Sequence, residues 1–246
     1  MIYQGSKSRL VKHILPVIQK CIDDNRIELY VEPFVGGANM IDHIACMRRV
    51  GSDINSELVA LLKYMQEDPE ISIAPEHCAF EHYSDVREAR KFRSEKYTPE
   101  YTALIGFFAS YGGRYFDGGY GRDSRGGRKI YAERLRSARE QAPLLSGIEF
   151  RAMDYRGWLG TENAVFYLDP PYRNTKSYGE KKIDYDEFYS FCRRLSEKNH
   201  VFISEYSMPA DFPCVWKSER KVLQRSDRKS AQTAVEKLFY LKKKDA

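Results

Sequence analysis

The chain has 246 residues, with 40 Lys and Arg against 35 Asp and Glu, for a formal net charge of +5. With 42% hydrophobic residues, 13 Phe and 18 Tyr it can build a packed core, which excludes wholesale disorder. Ten prolines and 16 glycines exclude a fibrous or low-complexity chain, and the longest apolar run, Ala103 to Ala109, is far short of a membrane span.

Helical and strand patterns alternate along the chain. Ser8 to Asp23 carries Leu10, Ile14, Val17 and Ile18 at helical spacing. Leu29 to Phe34 reads as a buried strand ending in a glycine turn, Asn39 to Arg48 as a helix, and Arg49 to Ile54 as a second strand. Asn55 caps a helix over Ser56 to Gln66, with Leu58, Leu61, Leu62 and Met65 turned inward. From Pro69 to about Leu145 the pattern turns helix-rich, interrupted by the glycine-rich stretch 112–127. Alternation then resumes with strands at Ile148 to Met153 and Ala164 to Leu168, a helix over Tyr185 to Leu195, and a strand at Val201 to Ser204. Cys214 to Val222 and Val235 to Leu241, joined by a polar turn around Asp227, predict a terminal hairpin. The order predicts an α/β fold with a mostly parallel sheet and helices on both faces. Residues 1–68 and 146–246 are expected to form that sheet, with 69–145 inserted into it.

The charge is unevenly spread. Residues 111–140 hold eight basic and four acidic side chains, and residues 217–246 hold ten and four, so the remainder is acidic. Such segregation suits an anionic polymer as partner, although a solvated basic face fits the count equally well. The five cysteines are scattered without a C-x-x-C, which suits a reducing cytoplasm. Met1 to Arg9 lacks the apolar core of a signal peptide. His77, Cys78 and His82 lie close together but lack a second ligand pair, so no metal is expected.

In a parallel sheet, ligands gather at the carboxyl ends of the strands. Three predicted strand ends carry informative residues. Glu32-Pro-Phe-Val-Gly-Gly37 sets two adjacent glycines in a turn, without the third glycine of a pyrophosphate fingerprint. Asp53 ends the next strand, where a carboxylate can accept both ribose hydroxyls or simply favour a helix N-terminus. Together they imply a nucleoside ligand without phosphates. Asp169-Pro-Pro-Tyr172 follows an apolar strand. The prolines remove two N–H donors and leave carbonyls able to accept. A carboxylate and the Pro170 carbonyl can then hold an exocyclic amino group while Tyr172 stacks on its base.

These motifs, in this order, resemble the Dam-type (D12 class, α group) N6-adenine DNA methyltransferases over nearly the whole chain. Tyr3-Gln-Gly-Ser-Lys7 is similar to the family's N-terminal S-adenosylmethionine motif, with Tyr3 where tryptophan is common. Glu32, Pro33, Phe34, Gly36 and Gly37 match its glycine motif, Asp53 the ribose acid, and Asp154-Tyr155 the motif that meets the cofactor's adenine. Asp169, Pro170, Pro171 and Tyr172 match the catalytic motif, Asp169 facing the cofactor as well. Ser204-Glu-Tyr206 and Glu236-Lys-Leu238 resemble later signatures. The resemblance implies a Rossmann-like methyltransferase sheet of about seven strands with a helical target-recognition insertion at 69–145. It implies S-adenosylmethionine as cofactor, double-stranded DNA as partner, and a monomer or weak dimer with no membrane attachment and no metal. Lys7 and Glu32 would hold the methionine end by charge.

The insertion would contact DNA through Tyr111, Arg114, Tyr115, Tyr120, Arg122, Arg125, Arg128 and Lys129, most of the basic ones on phosphate. Its stretch Arg114 to Arg122 lacks the asparagines common in the family, so the target sequence does not carry over. Arg134, Arg136 and Arg139 fall in a helical pattern and read as surface charges. Competing readings keep the cofactor but methylate RNA adenine, cytosine N4 or a glutamine amide, or take the chain as an inactive nucleic-acid-binding relative. A nicotinamide dehydrogenase is disfavoured by the missing fingerprint.

Overall fold

The computed structural model describes residues 1, 3, 5–123, 129–173, 183–222 and 232–243. Among them, seven strands form one sheet, β1 (Leu29–Glu32), β2 (Arg48–Asp53), β3 (Ile148–Ala152), β4 (Ala164–Leu168), β5 (His200–Glu205), β6 (Cys214–Val222) and β7 (Gln232–Leu241). Its order is β3-β2-β1-β4-β5-β7-β6. The first five strands are parallel, and β7 pairs antiparallel with both β5 and β6. The terminal hairpin is therefore present, while its expected turn around Asp227 lies outside the described residues.

The chain starts in the middle of the sheet, runs outward through β2 and β3, then returns beside β1 as β4. That reversal opens a crevice at the carboxyl ends of β1 and β4. Strand alternation covers both faces. In β4, Val165 and Tyr167 enter one hydrophobic cluster with α1 (Val11–Asp24) and α2 (Ser56–Glu67). Ala164, Phe166 and Leu168 enter a second cluster with Phe188, Phe191, Cys192 and Leu195 of the later helix at Tyr185–Ser196. All five β4 residues are buried, which explains their unbroken apolar run.

Between α2 and β3 lie α3 (Phe80–Lys91), α4 (Pro99–Phe108) and α5 (Ile130–Gln141), so the helix at Tyr185–Ser196 is α6. The apolar run at 103–109 is the buried heart of α4, in the same hydrophobic cluster as α1 and α2.

The expected helix over Asn39 to Arg48 is a single 3-10 turn, Ile41–His43, followed by extended chain at Ile44. Tertiary hydrogen bonds take the backbone groups that a helix needs. Gln19 of α1 accepts from Ala45 N at 3.0 Å and donates to Ala45 O at 2.8 Å, while Arg49 donates to Ile41 O at 3.3 Å. A second correction concerns Arg134. It lies on α5 but is 5% exposed, donating to the carbonyls of Phe107, Phe108 and Ser110. It closes the carboxyl end of α4, where helical carbonyls lack partners.

Candidate active site at the strand ends

Five carboxylates mark the carboxyl ends of the five parallel strands: Glu32 and Asp53 in the last residues of β1 and β2, Asp154 just past β3, Asp169 just past β4, and Glu205 ending β5. Sheet register alone gathers them along one edge.

Glu32 is 3% exposed and accepts the Tyr30 hydroxyl at 2.7 Å. Burial raises its pKa well above the usual carboxyl range, and the nearby Asp42 and Asp169 add to the rise. Buried Pro33 and partly exposed Phe34 lead into the glycine turn. Gly36 has φ +47°, and a Cβ there would meet the Tyr3 ring at 2.9 Å. At Gly37 a Cβ would lie 2.7 Å from both Tyr3 Cβ and Asn39 Nδ2. The turn is thus restricted to glycine, and Tyr3 packs directly over it.

Asp53 ties that turn to the next strand. Its Oδ2 accepts from Gly36 N at 3.2 Å, and its Oδ1 accepts from Asn55 N at 3.0 Å. Asn55 in turn caps α2 through Glu57 N and Leu58 N. Asp154 is held by Arg156 in a 2.7 Å ion pair, which keeps its pKa below the usual range. Tyr155 stacks on Phe34 at 5.2 Å and meets Phe191 edge-on at 4.9 Å. The structure therefore brings Phe34 and Tyr155 together as an aromatic pair across the strand ends.

On the other side of the crevice stands Asp169. Lys7 Nζ lies 2.8 Å from its Oδ1 in a close ionic contact that lacks hydrogen-bond alignment. Burial pushes the Asp169 pKa up, and Lys7 opposes the rise. The same ammonium sits 4.4 Å from the centre of the Tyr172 ring. Pro170 is buried and Pro171 exposed. The Pro171 carbonyl takes the Tyr185 hydroxyl.

Three further residues shape this end of the site. Glu236 on β7 accepts the Tyr172 hydroxyl at 2.9 Å, and Tyr206 packs perpendicular to the Tyr172 ring at 4.6 Å. Glu205 accepts from Arg173 N at 3.0 Å and Tyr206 N at 2.7 Å, fixing the segment after the Pro-Pro turn. All three sit in segments singled out by resemblance, Ser204 to Tyr206 and Glu236 to Leu238. The signal for Glu205 is the strand-end rule that located Asp53 and Asp169.

The edge suits a nucleoside carrying an amino acid. Glu32 is a buried carboxylate with no cation paired to it among the described residues. Such a group is costly until an ammonium arrives. Asp53 lies beside the glycine turn, and Phe34 with Tyr155 offers an apolar surface to a purine.

The residues expected to meet DNA lie between α4 and α5. The segment closes on itself through a Ser110–Tyr120 bridge and a Tyr111 N to Gly119 O bond of 2.7 Å. Tyr111 is 38% exposed, Arg114 is half-buried, and Arg122 and Lys129 are exposed. Tyr115 stacks on Phe107 at 4.5 Å, and its hydroxyl meets Glu57 and Arg90. Tyr120 donates to Cys78 O at 2.7 Å. Arg125 and Arg128 lie outside the described residues.

Among solved structures, the chain is similar to a conserved hypothetical protein of Streptococcus pyogenes, at 8% identity over 87% of this chain and 86% of that one, TM-score 0.35. It is also similar to an Escherichia coli protein assigned as a methyltransferase, yhhF, at 7% identity over 94% and 85%, TM-score 0.33. A third, SMU.472, assigned as a methyltransferase and solved with SAH, shows 13% identity over 89% and 49%, TM-score 0.32. Likenesses at these scores add no weight. A comparison with curated proteins finds no match. The sequence model of the D12 class N6 adenine-specific DNA methyltransferases, in contrast, matches residues 3–229, most of the chain. The seven-stranded sheet, the strand-end carboxylates and that match agree: the chain belongs to the D12 class of N6 adenine-specific DNA methyltransferases, enzymes whose cofactor is S-adenosylmethionine.

Proposed function

We propose that this chain methylates N6 of adenine in duplex DNA, at a specific site, on a base turned out of the helix. The observation that carries the reading is Asp169, a buried acceptor at the switch-point crevice with the Tyr172 ring beside it. An adenine amino group is a poor nucleophile because its lone pair is delocalised into the ring. Asp169 and the Pro170 carbonyl would accept its two N–H groups, localising the lone pair and stabilising the positive charge that grows on nitrogen. Tyr172 would stack on the base, with its hydroxyl fixed by Glu236.

Bound S-adenosylmethionine supplies an electrophilic methyl group. Glu32 would hold its ammonium, Lys7 its carboxylate, and Asp53 the ribose, with Tyr3 and Gly36-Gly37 forming the floor. Phe34, Pro33, Asp154 and Tyr155 would border the purine. Fixing both partners in line contributes much of the acceleration.

Residues 69–145 would form the target-recognition block even though α4 shares the sheet's core. Arg114, Arg122 and Lys129, with Arg125 and Arg128, would meet phosphate and base edges, and Tyr111 would lie near the bases. Tyr115 and Tyr120 would support that segment from inside.

The test is methyl transfer from labelled cofactor to duplex DNA and to RNA, followed by nucleoside analysis. The reading requires label in N6-methyl-2′-deoxyadenosine from duplex DNA. Label in 4-methylcytosine, or in RNA alone, would overturn it.

A further inference from the structure

Lys7 makes the two contacts that the target base needs. Its ammonium, an N–H donor, is 2.8 Å from Asp169 Oδ1 and 4.4 Å from the centre of the Tyr172 ring. An adenine amino group docked on Asp169, with its ring on Tyr172, would claim the same carboxylate oxygen and the same aromatic neighbour. The lysine and aspartate side chains are only 10% and 18% exposed, which leaves little room for both occupants. Tyr206 also packs against the Tyr172 ring, so the lysine is the neighbour on a long flexible stem.

Lys7 has a weak alternative tether, a 3.3 Å bond to Gly5 O. Across the crevice lies Glu32, whose buried carboxylate suits the ammonium of an amino acid. An amino acid seated there would bring its own carboxylate as a rival partner for Lys7. Withdrawing the Lys7 cation from a mostly buried carboxylate is costly, and pairing of Lys7 with the incoming carboxylate offsets that cost.

We infer that Lys7 occupies the target-amine subsite in the cofactor-free protein and is drawn out of it by the methionine carboxylate of the cofactor, so that cofactor binding opens the place where adenine docks. The inference rests on the proposed function and adds an order to it: cofactor first, base second. Part of the cofactor's binding free energy is spent on breaking the Lys7–Asp169 pair, as in any equilibrium where the competent state is a minor one.

Isothermal titration with two probes tests this. S-adenosylhomocysteine carries the methionine carboxylate, and 5′-methylthioadenosine lacks the whole amino acid. Asp169→Asn is expected to bind S-adenosylhomocysteine about tenfold more tightly than the wild type, with 5′-methylthioadenosine unchanged. In a Lys7→Met background the gain disappears. In wild-type protein labelled with ¹⁵N-lysine, the Lys7 ammonium resonance, assigned by its loss in Lys7→Met, shifts with S-adenosylhomocysteine and not with 5′-methylthioadenosine. Equal or weaker binding by Asp169→Asn, a gain shared by both probes, or a Lys7 resonance indifferent to the carboxylate would overturn the inference alone. Failure of the wild type to bind either probe would overturn the proposed function as well.

Discussion

The strand-end edge and the segment between α4 and α5 are built differently, and under the proposed function they would carry different duties. Along the edge, side chains reach the crevice because strand register puts them there. Asp53 is fixed by two backbone N–H groups and Tyr172 by a carboxylate from the neighbouring hairpin. In the segment, backbone bonds and inward-facing rings hold the chain, while exposed Arg122 and Lys129 have solvent around them. Under the proposed function, chemistry would be placed by topology, and recognition by what a well-anchored loop leaves outside. A substitution at the edge should change chemistry or cofactor binding, and one on the loop should change affinity for DNA alone.

The largest stability effect expected within the block is at Arg134. Arg134→Ala leaves buried carbonyls at the end of α4 without a donor and should destabilise the fold by about 2–4 kcal/mol, read from urea midpoints. If the midpoint moves no more than for Arg136→Ala, the anchored-loop side of the comparison breaks.

Glu32→Gln comes next. It should weaken S-adenosylhomocysteine about tenfold by removing the partner of its ammonium. It should also change the pH profile of stability without cofactor. Because the folded pKa of Glu32 is raised, the native state binds a proton that the unfolded state has lost once pH exceeds the ordinary carboxyl range. Stability contributed by Glu32 is therefore present at low pH and falls as pH rises toward the raised value. The glutamine variant should lose that part of the fall, and an unchanged slope would contradict the buried-carboxylate account.

The smallest effect belongs to Arg122. Arg122→Ala should weaken duplex binding a few-fold and lower the salt-dependence slope by about one, with stability unchanged. An unchanged slope would take Arg122 out of the interface.

Much of this was readable before the fold. Asp169 and the glycine turn stand directly after short apolar runs and Asp53 ends the strand between helical patterns, so strand order predicts where they gather. The helix expected over Asn39 to Arg48 was not excluded by local pattern, because what unwinds it is Gln19 on another helix. Arg134 reads as a surface charge for the same reason: the carbonyls that bury it are 24–27 residues away. Tyr115 and Tyr120 look like loop aromatics, yet their hydroxyl partners, Glu57 and Cys78, lie far off in sequence. Glu236 becomes part of the site only when β7 folds back beside β5. Short-range pattern conveys which strand ends matter, and long-range hydrogen bonds decide which side chains face them.

The central claim is that Asp169 receives the amine whose nitrogen is methylated. Single-turnover methyl transfer to duplex DNA at saturating S-adenosylmethionine tests it in Asp169→Ala against the wild type. The account predicts a rate at least about 10³-fold lower while S-adenosylhomocysteine still binds. A rate within a few-fold of the wild type would contradict it.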